Sequence, residues 1–536
     1  MQGLMMDFPL TLATIFRRAE TLSPDREMVS RRADKTVDRS TYGAFAQRTR
    51  RLVTMLKNLG VRRGDRVATL CWSHSQHLEA YFAAPLAGAV LHTLNLRLPP
   101  DELAYIINHA GDRVLIVDAS LAPLFARIRA NVNVPTVILI GDQHALDDAI
   151  DYEGALAAAE PAMDLADVDE RSAAVMCYTT GTTGRAKGVV YSHRSLVLHS
   201  FGICLPDVLD IGERDVVLPA VPMFHANGWG FPYACAMVGA KLVMPGSCLD
   251  GLSILELLES ERVTIGGGVP TIWMSVLQAL ETCPRSYDLS ALRYVLVGGS
   301  APPVSLIRAL DRYGVRILHA WGMTETSPLG SVSRIPATTV DPSKEDEYTI
   351  RSKQGRPAPF VEIRARGEDG FAPWDGKTFG ELEVRGPWVA GAYYNAEHAD
   401  RFTADGWFKT GDIATIDRNG TVVIQDRLKD VVKSGGEWIS SVALENALMG
   451  HPAVAEAAVI AIAHPKWCER PLAAVVLKPG ATATAEELRA FLAPQFPKFW
   501  LPDAFEFIDA IPRTGAGKFL KSALRERFKG YWVYDV

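Results

Sequence analysis

The sequence predicts an α/β protein in two parts: a large N-terminal domain of layered sheets and helices with a β-rich subdomain, then a small α+β C-terminal domain. Three observations lead there. The chain has 536 residues, too many for one compact core. Over its first 320 residues or so, apolar strand-like runs without polar alternation take turns with helix-like segments, as in a parallel sheet covered on both faces. After about residue 350 the strand-like runs become short, are bounded by Gly, Asp and Asn, and favour antiparallel pairing.

The elements follow in order. The apolar run Phe8–Phe16 leads into LATIFRRAETL, an amphipathic helix. Strands are expected at 65–71, 113–118 and 135–140, with helices at HLEAYFAAPLAGA and at 101–110. AAVMCYT forms another strand and SHRSLVLHS a helix. The alternation continues through strands at 215–221, 241–244, 263–269 and 293–298. Segments 380–386 and 420–425 are the short strands of the subdomain. Beyond 430, strands at 454–462, 472–477 and 504–508 mix with helices at 484–493 and 517–528. The boundary is placed at 428/429, giving domains 1–428 and 429–536, inside the segment Asp426-Arg427-Leu428-Lys429-Asp430.

Composition narrows the class. Hydrophobic content of 48% and charged content of 22% are ordinary for a globular protein, and a net charge of −6 argues against a nucleic-acid surface. No apolar run reaches the roughly 18 residues of a membrane span. No Lys or Arg precedes the run at Phe8, so a signal peptide is not expected. Seven scattered cysteines without a C-x-x-C pair predict neither disulfides nor zinc, and a reducing, cytoplasmic setting. A homodimer is the expectation from base rates alone.

The chemistry centres on YTTGTTGRAKG, residues 178–188. Thr179, Thr180, Thr182 and Thr183 offer hydroxyl and amide donors to a polyphosphate. Gly181 and Gly184 permit close backbone approach, and Lys187 adds a point charge. Lys187 is followed by Gly188, so this is not the G-x-x-x-x-G-K-[ST] loop. Further along, Glu325 in WGMTET is a hard-oxygen candidate for Mg2+, with Thr179 beside the phosphates as the second. Asp412 in KTGD can accept hydrogen bonds from a ribose diol. Gly266-Gly267-Gly268 either leaves volume for a substrate or relieves crowding between sheet and helix. Lys518 follows two loop glycines, where an ammonium can bridge a carboxylate and a phosphate.

These motifs recur in one order along nearly the whole chain, and in that order they resemble the adenylate-forming superfamily of acyl-CoA synthetases, adenylation domains and firefly luciferase. PMFH resembles the family's His motif, GGSAP and WGMTET its adenine and metal motifs, and KTGD its ribose motif. DRLKD resembles its hinge and PRTGAGK its C-terminal lysine loop. The resemblance implies ATP, Mg2+ and CoA as cofactor and co-substrates, an acyl-adenylate intermediate, and a mobile C-terminal domain behind an N-terminal adenylation domain. It implies adenine contacts from Gly299, Ser300, Ala301, Trp321, Gly322, Met323 and Thr324, with Trp standing where many members carry Tyr. Asp412 is implied for the ribose, and Arg427 for the ribose or a phosphate. His225 is implied beside the substrate and Trp229 as its gate, with Gly268 and Gly299 lining the acyl pocket. Lys518 is implied for adenylation, Lys429 for the hinge and Lys433 for thioester formation.

The stretches SHRSLVLHS, HAWGMTE, VRGPW, KSGGEWISS and HPKW are similar to medium- and long-chain fatty-acid ligases and to bacterial 3-methylmercaptopropionate ligases. The implied function is conversion of a medium- to long-chain fatty acid to acyl-CoA, with release of AMP and pyrophosphate. Two alternatives are a ligase for a short thioether acid and an enzyme that passes the adenylate to a carrier protein. A non-catalytic nucleotide-binding regulator fits poorly, because every catalytic position is occupied.

Overall fold

The computed structural model describes residues 1, 3–179, 185–339, 342–367, 370–395, 399–435, 437–513 and 519–531. Among these, the strands form four sheets. The first 357 residues build two of them, and both are mainly parallel at their centres. One runs in the order Ile150–Asp151, Thr136–Ile140, Asp112–Asp118, Arg66–Leu70, Val90–Thr93, Ala173–Tyr178, Gly188–Ser192. The other is centred on Lys241–Met244, Val216–Pro219, Ile265–Gly268, Tyr294–Val297 and Ile317–Gly322. The runs without alternation are parallel strands buried on both faces, as the pattern predicts: Val114 to Val117, for example, are all fully buried.

The edges depart from that pattern. Gly188–Ser192 turns back antiparallel on Ala173–Tyr178, so the phosphate-loop candidate joins two hydrogen-bonded strands rather than a strand and a helix. The helix expected next does follow, at His193–Cys204, capped by the Ser192 hydroxyl. Two strands near the N-terminus are among those with no sequence expectation. Glu27–Arg31 and Val37–Thr41 form an antiparallel hairpin, and the first docks in parallel on Lys241–Met244. The hairpin's outer strand is largely exposed and polar, which hides its strand character from a hydrophobic pattern.

The amphipathic N-terminal helix spans Leu12–Leu22 and buries Leu12, Ile15, Phe16 and Ala19. Phe16 packs on Phe45 and Phe82 with ring centroids 6.0 Å apart in each pair. The third sheet is antiparallel, from Glu362–Gly367 through Gly380–Arg385 and Phe408–Ile416 to Val422–Arg427. The fourth pairs Val454–His464 with Cys468–Leu477 over ten residue pairs and carries helices Ser441–Leu448 and Ala485–Leu492 on its apolar side. The last helix is shorter than expected, Lys521–Arg527. The third sheet ends at Arg427 and the fourth begins at Val432, so residues 428–431 join the two.

No helix among the described residues is long and apolar enough to cross a membrane. All seven cysteines are free.

Candidate active site

Three sheets and the C-terminal helix converge on a cavity of about 290 Å³. Its polar side holds Thr179, Lys187, Glu325, Arg427 and Lys429, and its apolar side Ile203, Leu209, Trp229, Leu296 and Leu329, with His225 also in the wall. A neighbouring cavity of about 250 Å³ is lined by Ser300, Ala301 and Asp412; Gly299, Trp321, Gly322 and Arg427 face both. Met323 and Thr324 line the first cavity. The sequence candidates from six separate motifs therefore meet in one place.

The stem of the phosphate-loop candidate is well defined. The Thr179 amide donates to the Lys187 carbonyl at 2.9 Å, and the Lys187 amide donates to the Thr179 hydroxyl at 3.2 Å. Lys187 Nζ lies 5.0 Å from the centre of the Tyr393 ring. Burial and the nearby Arg401 guanidinium push the Lys187 ammonium below its usual pKa. Thr180, Gly181, Thr182, Thr183 and Gly184 lie outside the described residues.

Glu325 sits on a short turn after the strand Ile317–Gly322 and is buried. Its Oε1 accepts the Tyr393 hydroxyl at 2.6 Å. Asp412 is buried and doubly engaged: Trp321 Nε1 donates to Oδ2 at 3.0 Å, and Arg427 Nε pairs with Oδ1 at 2.7 Å. Gly330 makes room for the Trp321 ring; a Cβ there would come within 2.3 Å of it.

His225 and Trp229 flank an unusual backbone. Residues 226–230 all have positive φ, from 35° at Ala226 to 76° at Gly230. A left-handed turn costs non-glycine residues free energy. Gly230 is required there twice over, because a Cβ would also strike the His199 imidazole at 2.6 Å. The turn delivers the Trp229 ring against Gly298, where a Cβ would meet it at 3.2 Å. Burial pushes the His199 pKa down to about 3, so this ring is neutral.

The glycine run resolves towards crowding. A Cβ on Gly266 would meet Trp273 at 2.8 Å and one on Gly267 would meet Phe231 at 2.6 Å. Gly268 has only ordinary contacts, from 3.4 Å, and does not line either cavity.

Phe519, Leu520, Lys521 and Arg525 reach the first cavity from the C-terminal side. Arg513 and Phe519 form a β-bridge, which draws together the two ends of segment 514–518. Lys518 itself lies outside the described residues. Lys521 is buried with its Nζ 2.6 Å from Glu445 and 2.5 Å from the Ser441 hydroxyl. Asp426 accepts the Ser441 amide at 2.7 Å, tying the third sheet to the helix Ser441–Leu448. Burial pushes the Lys429 ammonium below its usual pKa. Lys433 stands exposed on Val432–Ser434, away from both cavities.

The family models decide the class: AMP-binding enzyme matches residues 16–394, and AMP-binding enzyme C-terminal domain matches 443–518. The chain belongs to the AMP-binding enzyme family.

Similarity to other AMP-binding enzymes runs end to end. A long-chain-fatty-acid–CoA ligase of Thermus thermophilus is 51% identical over 98% of this chain and 97% of its own. A 3-methylmercaptopropionyl-CoA ligase of Ruegeria pomeroyi is 44% identical over 99% of each. Among solved structures, the anthranilate CoA ligase AuaEII in complex with anthranoyl-AMP superposes with a TM-score of 0.87 at 25% identity, covering 98% of both chains. ATP-bound MatB from Rhodopseudomonas palustris gives 0.84 at 29%, covering 98% and 99%. As a member of this family with CoA-ligase relatives, the chain is an acid–thiol ligase that forms an acyl adenylate.

Sequence reasoning missed several contributors to the site of this AMP-binding enzyme. Tyr393, Arg401 and Arg525 are separate from the recognised motifs, and only their place in the cavity wall marks them. Gly298 was read with its motif, but its role as the floor beneath Trp229 needed the fold.

Proposed function

We propose that this ligase converts a medium- to long-chain fatty acid to its CoA thioester, with ATP giving AMP and pyrophosphate. One observation carries the reading: a single cavity joins the cationic and carboxylate groups Lys187, Arg427 and Glu325 to an apolar wall of Ile203, Leu209, Trp229, Leu296 and Leu329. Such a site orients a carboxylate at one end and desolvates an alkyl tail at the other.

In the first half-reaction a carboxylate oxygen of the acid attacks the α-phosphorus. The bond to the bridging oxygen breaks, and pyrophosphate leaves with the electron pair. Asp412 and Arg427 hold the ribose, Trp321 packs on the adenine, and Lys187 faces the phosphates. Lys518 bridges the acid and the α-phosphate. The buried Glu325 carboxylate and the Thr179 hydroxyl are hard oxygen donors beside this cavity, a set that fits Mg2+. The ion would neutralise charge on the β- and γ-phosphates. In the second half-reaction the C-terminal domain, taken as 429–536, turns about Lys429 and brings Lys433 towards the site. The CoA thiolate then attacks the acyl carbonyl and AMP leaves. The free cysteines support a cytosolic setting, and a homodimer is the proposed assembly.

A short thioether acid is the second reading, favoured by the Ruegeria pomeroyi relative. The test is pyrophosphate release across a series of acids from 3-methylmercaptopropionate to palmitate, with and without CoA. The best kcat/KM is expected at eight carbons or longer. A maximum at the thioether acid supports the second reading, and pyrophosphate release without a thioester from any acid overturns both. Lys518→Ala is expected to cripple adenylation far more than thioester formation from a supplied adenylate, and Lys433→Ala the reverse. Equal losses in the two steps would remove those roles.

A further inference from the structure

The phosphate-loop stem has a side brace that belongs to none of the recognised motifs. The helix Pro100–Ala110 presents Tyr105 and His109 one turn apart on one face, with ring centroids 5.3 Å apart. His109 Nδ1 lies 2.6 Å from the hydroxyl of Tyr178, the residue at which the outgoing strand ends. Tyr105 lies beneath Arg185, whose guanidinium carbon is 4.6 Å from the ring centre. Arg185 is the first described residue on the returning side. One helix face thus grips the chain on both sides of residues 180–184.

The contacts are specific. Tyr178 is buried, and burial keeps its phenol protonated far beyond neutral pH, so the hydroxyl can donate to a His109 Nδ1 that carries no proton, or accept from one that does. The His109 ring stands edge-on to both Tyr178 and Tyr394, 5.8 Å from each. Tyr394 in turn donates its amide to the Gly188 carbonyl at 2.8 Å. Gly188 is pressed between these two tyrosines; a Cβ there would lie 3.2 Å from each. Strand pairing fixes the register of the stem, Tyr178 opposite Gly188. It leaves open the angle at which the stem leans over the cavity. The hydrogen bond to His109 and the rings around it meet the stem from the side.

We infer that His109, seconded by Tyr105, is a positioning residue for ATP, holding the stem of the phosphate loop so that Thr179 and Lys187 face the phosphates. This rests on the reading of residues 178–188 as the phosphate loop. The effect falls on ATP rather than on the acid, because the stem residues being held, Thr179 and Lys187, belong to the polar side of the cavity and not to its apolar wall.

The experiment compares His109→Leu, His109→Asn, Tyr178→Phe and Lys187→Ala in the full-length enzyme. The readouts are the KM for ATP and for the acid from pyrophosphate release, the Kd of a fluorescent ATP analogue, and thermal unfolding. His109→Leu should raise the KM and Kd for ATP about tenfold, the size of one lost hydrogen bond, and change the acid KM less than about twofold. His109→Asn, whose Oδ1 can accept the same bond, should recover most of the loss. Tyr178→Phe should match His109→Leu, and the double variant should be no worse than either. If His109→Leu is unstable, Tyr178→Phe, which removes only a hydroxyl, decides alone. Unchanged ATP affinity in His109→Leu or Tyr178→Phe while Lys187→Ala weakens it overturns the brace and spares the loop. A Lys187→Ala enzyme with unchanged ATP affinity overturns the loop reading, and the brace with it. An equal loss for ATP and acid that His109→Asn fails to restore marks a purely structural role and also overturns the inference.

Discussion

Trp321 donates its indole N–H to Asp412 at 3.0 Å across 91 residues of sequence, while Arg427 pairs with the other carboxylate oxygen at 2.7 Å. The carboxylate implied for the ribose is therefore held in place by two protein partners of its own. Preorganisation of this kind lowers the ordering cost of binding. Trp321→Phe keeps the ring and deletes the N–H. It should raise the KM for ATP about three- to tenfold with the acid KM unchanged, as one hydrogen bond to a charged group would. Steady-state kinetics check this, and an ATP KM equal to the parent's would show that Arg427 alone orients Asp412.

Tyr393 does two jobs at once: its hydroxyl donates to Glu325 and its ring lies by Lys187 Nζ. Tyr393→Phe removes the first and keeps the second. The concentration of Mg2+ giving half-maximal rate should rise several-fold, and Mn2+ titrated in the presence of ATP and followed by electron paramagnetic resonance should bind more weakly. Tyr393→Leu should also weaken ATP. A Tyr393→Phe enzyme with the parent's metal dependence would show that the hydroxyl has no part in orienting Glu325, and identical behaviour of the two variants would remove the ring from ATP binding.

The glycine run offers a stability test. Gly267→Ala drives a methyl into the Phe231 ring, and overpacking of this sort costs about 1–3 kcal/mol. Gly268→Ala meets only ordinary contacts and should be near neutral. Half-lives for thermal inactivation should separate the two clearly. A Gly268→Ala enzyme as labile as Gly267→Ala would mean that the third glycine also carries close packing.

His199 predicts a pH dependence. Its folded-state pKa, about 3, lies below the unfolded value near 6.5. The unfolded chain therefore takes up a proton that the native one refuses, so this neutral ring favours the fold above pH 6.5. That contribution falls by about 1.4 kcal/mol per unit as the pH drops from 6.5 towards 3. The stability gap between the parent and His199→Gln should be largest at pH 7 to 8 and shrink below pH 6. Urea unfolding at several pH values measures it, and a gap that widens on acidification would contradict the buried neutral histidine.

Much of this enzyme is legible without coordinates. Apolar runs such as Val114–Val117 announce buried parallel strands, because a strand covered on both faces has no position at which a polar side chain is solvated. The loop 178–188, WGMTET and KTGD could be picked out as chemistry because each is a compact cluster of donors, acceptors and glycines. Other features fell outside this reach. The polar strand Val37–Thr41 has no hydrophobic signature and exists through its pairing with Glu27–Arg31. Tyr393 and Glu325 are 68 residues apart, and nothing near either in the chain marks the bond between them. GGG looks the same whether it opens a pocket or admits Trp273 and Phe231, until those rings are placed. Local pattern records what a residue does with its near neighbours along the backbone. Close packing and site geometry depend on neighbours brought from far along the chain, and only the folded arrangement specifies which ones they are.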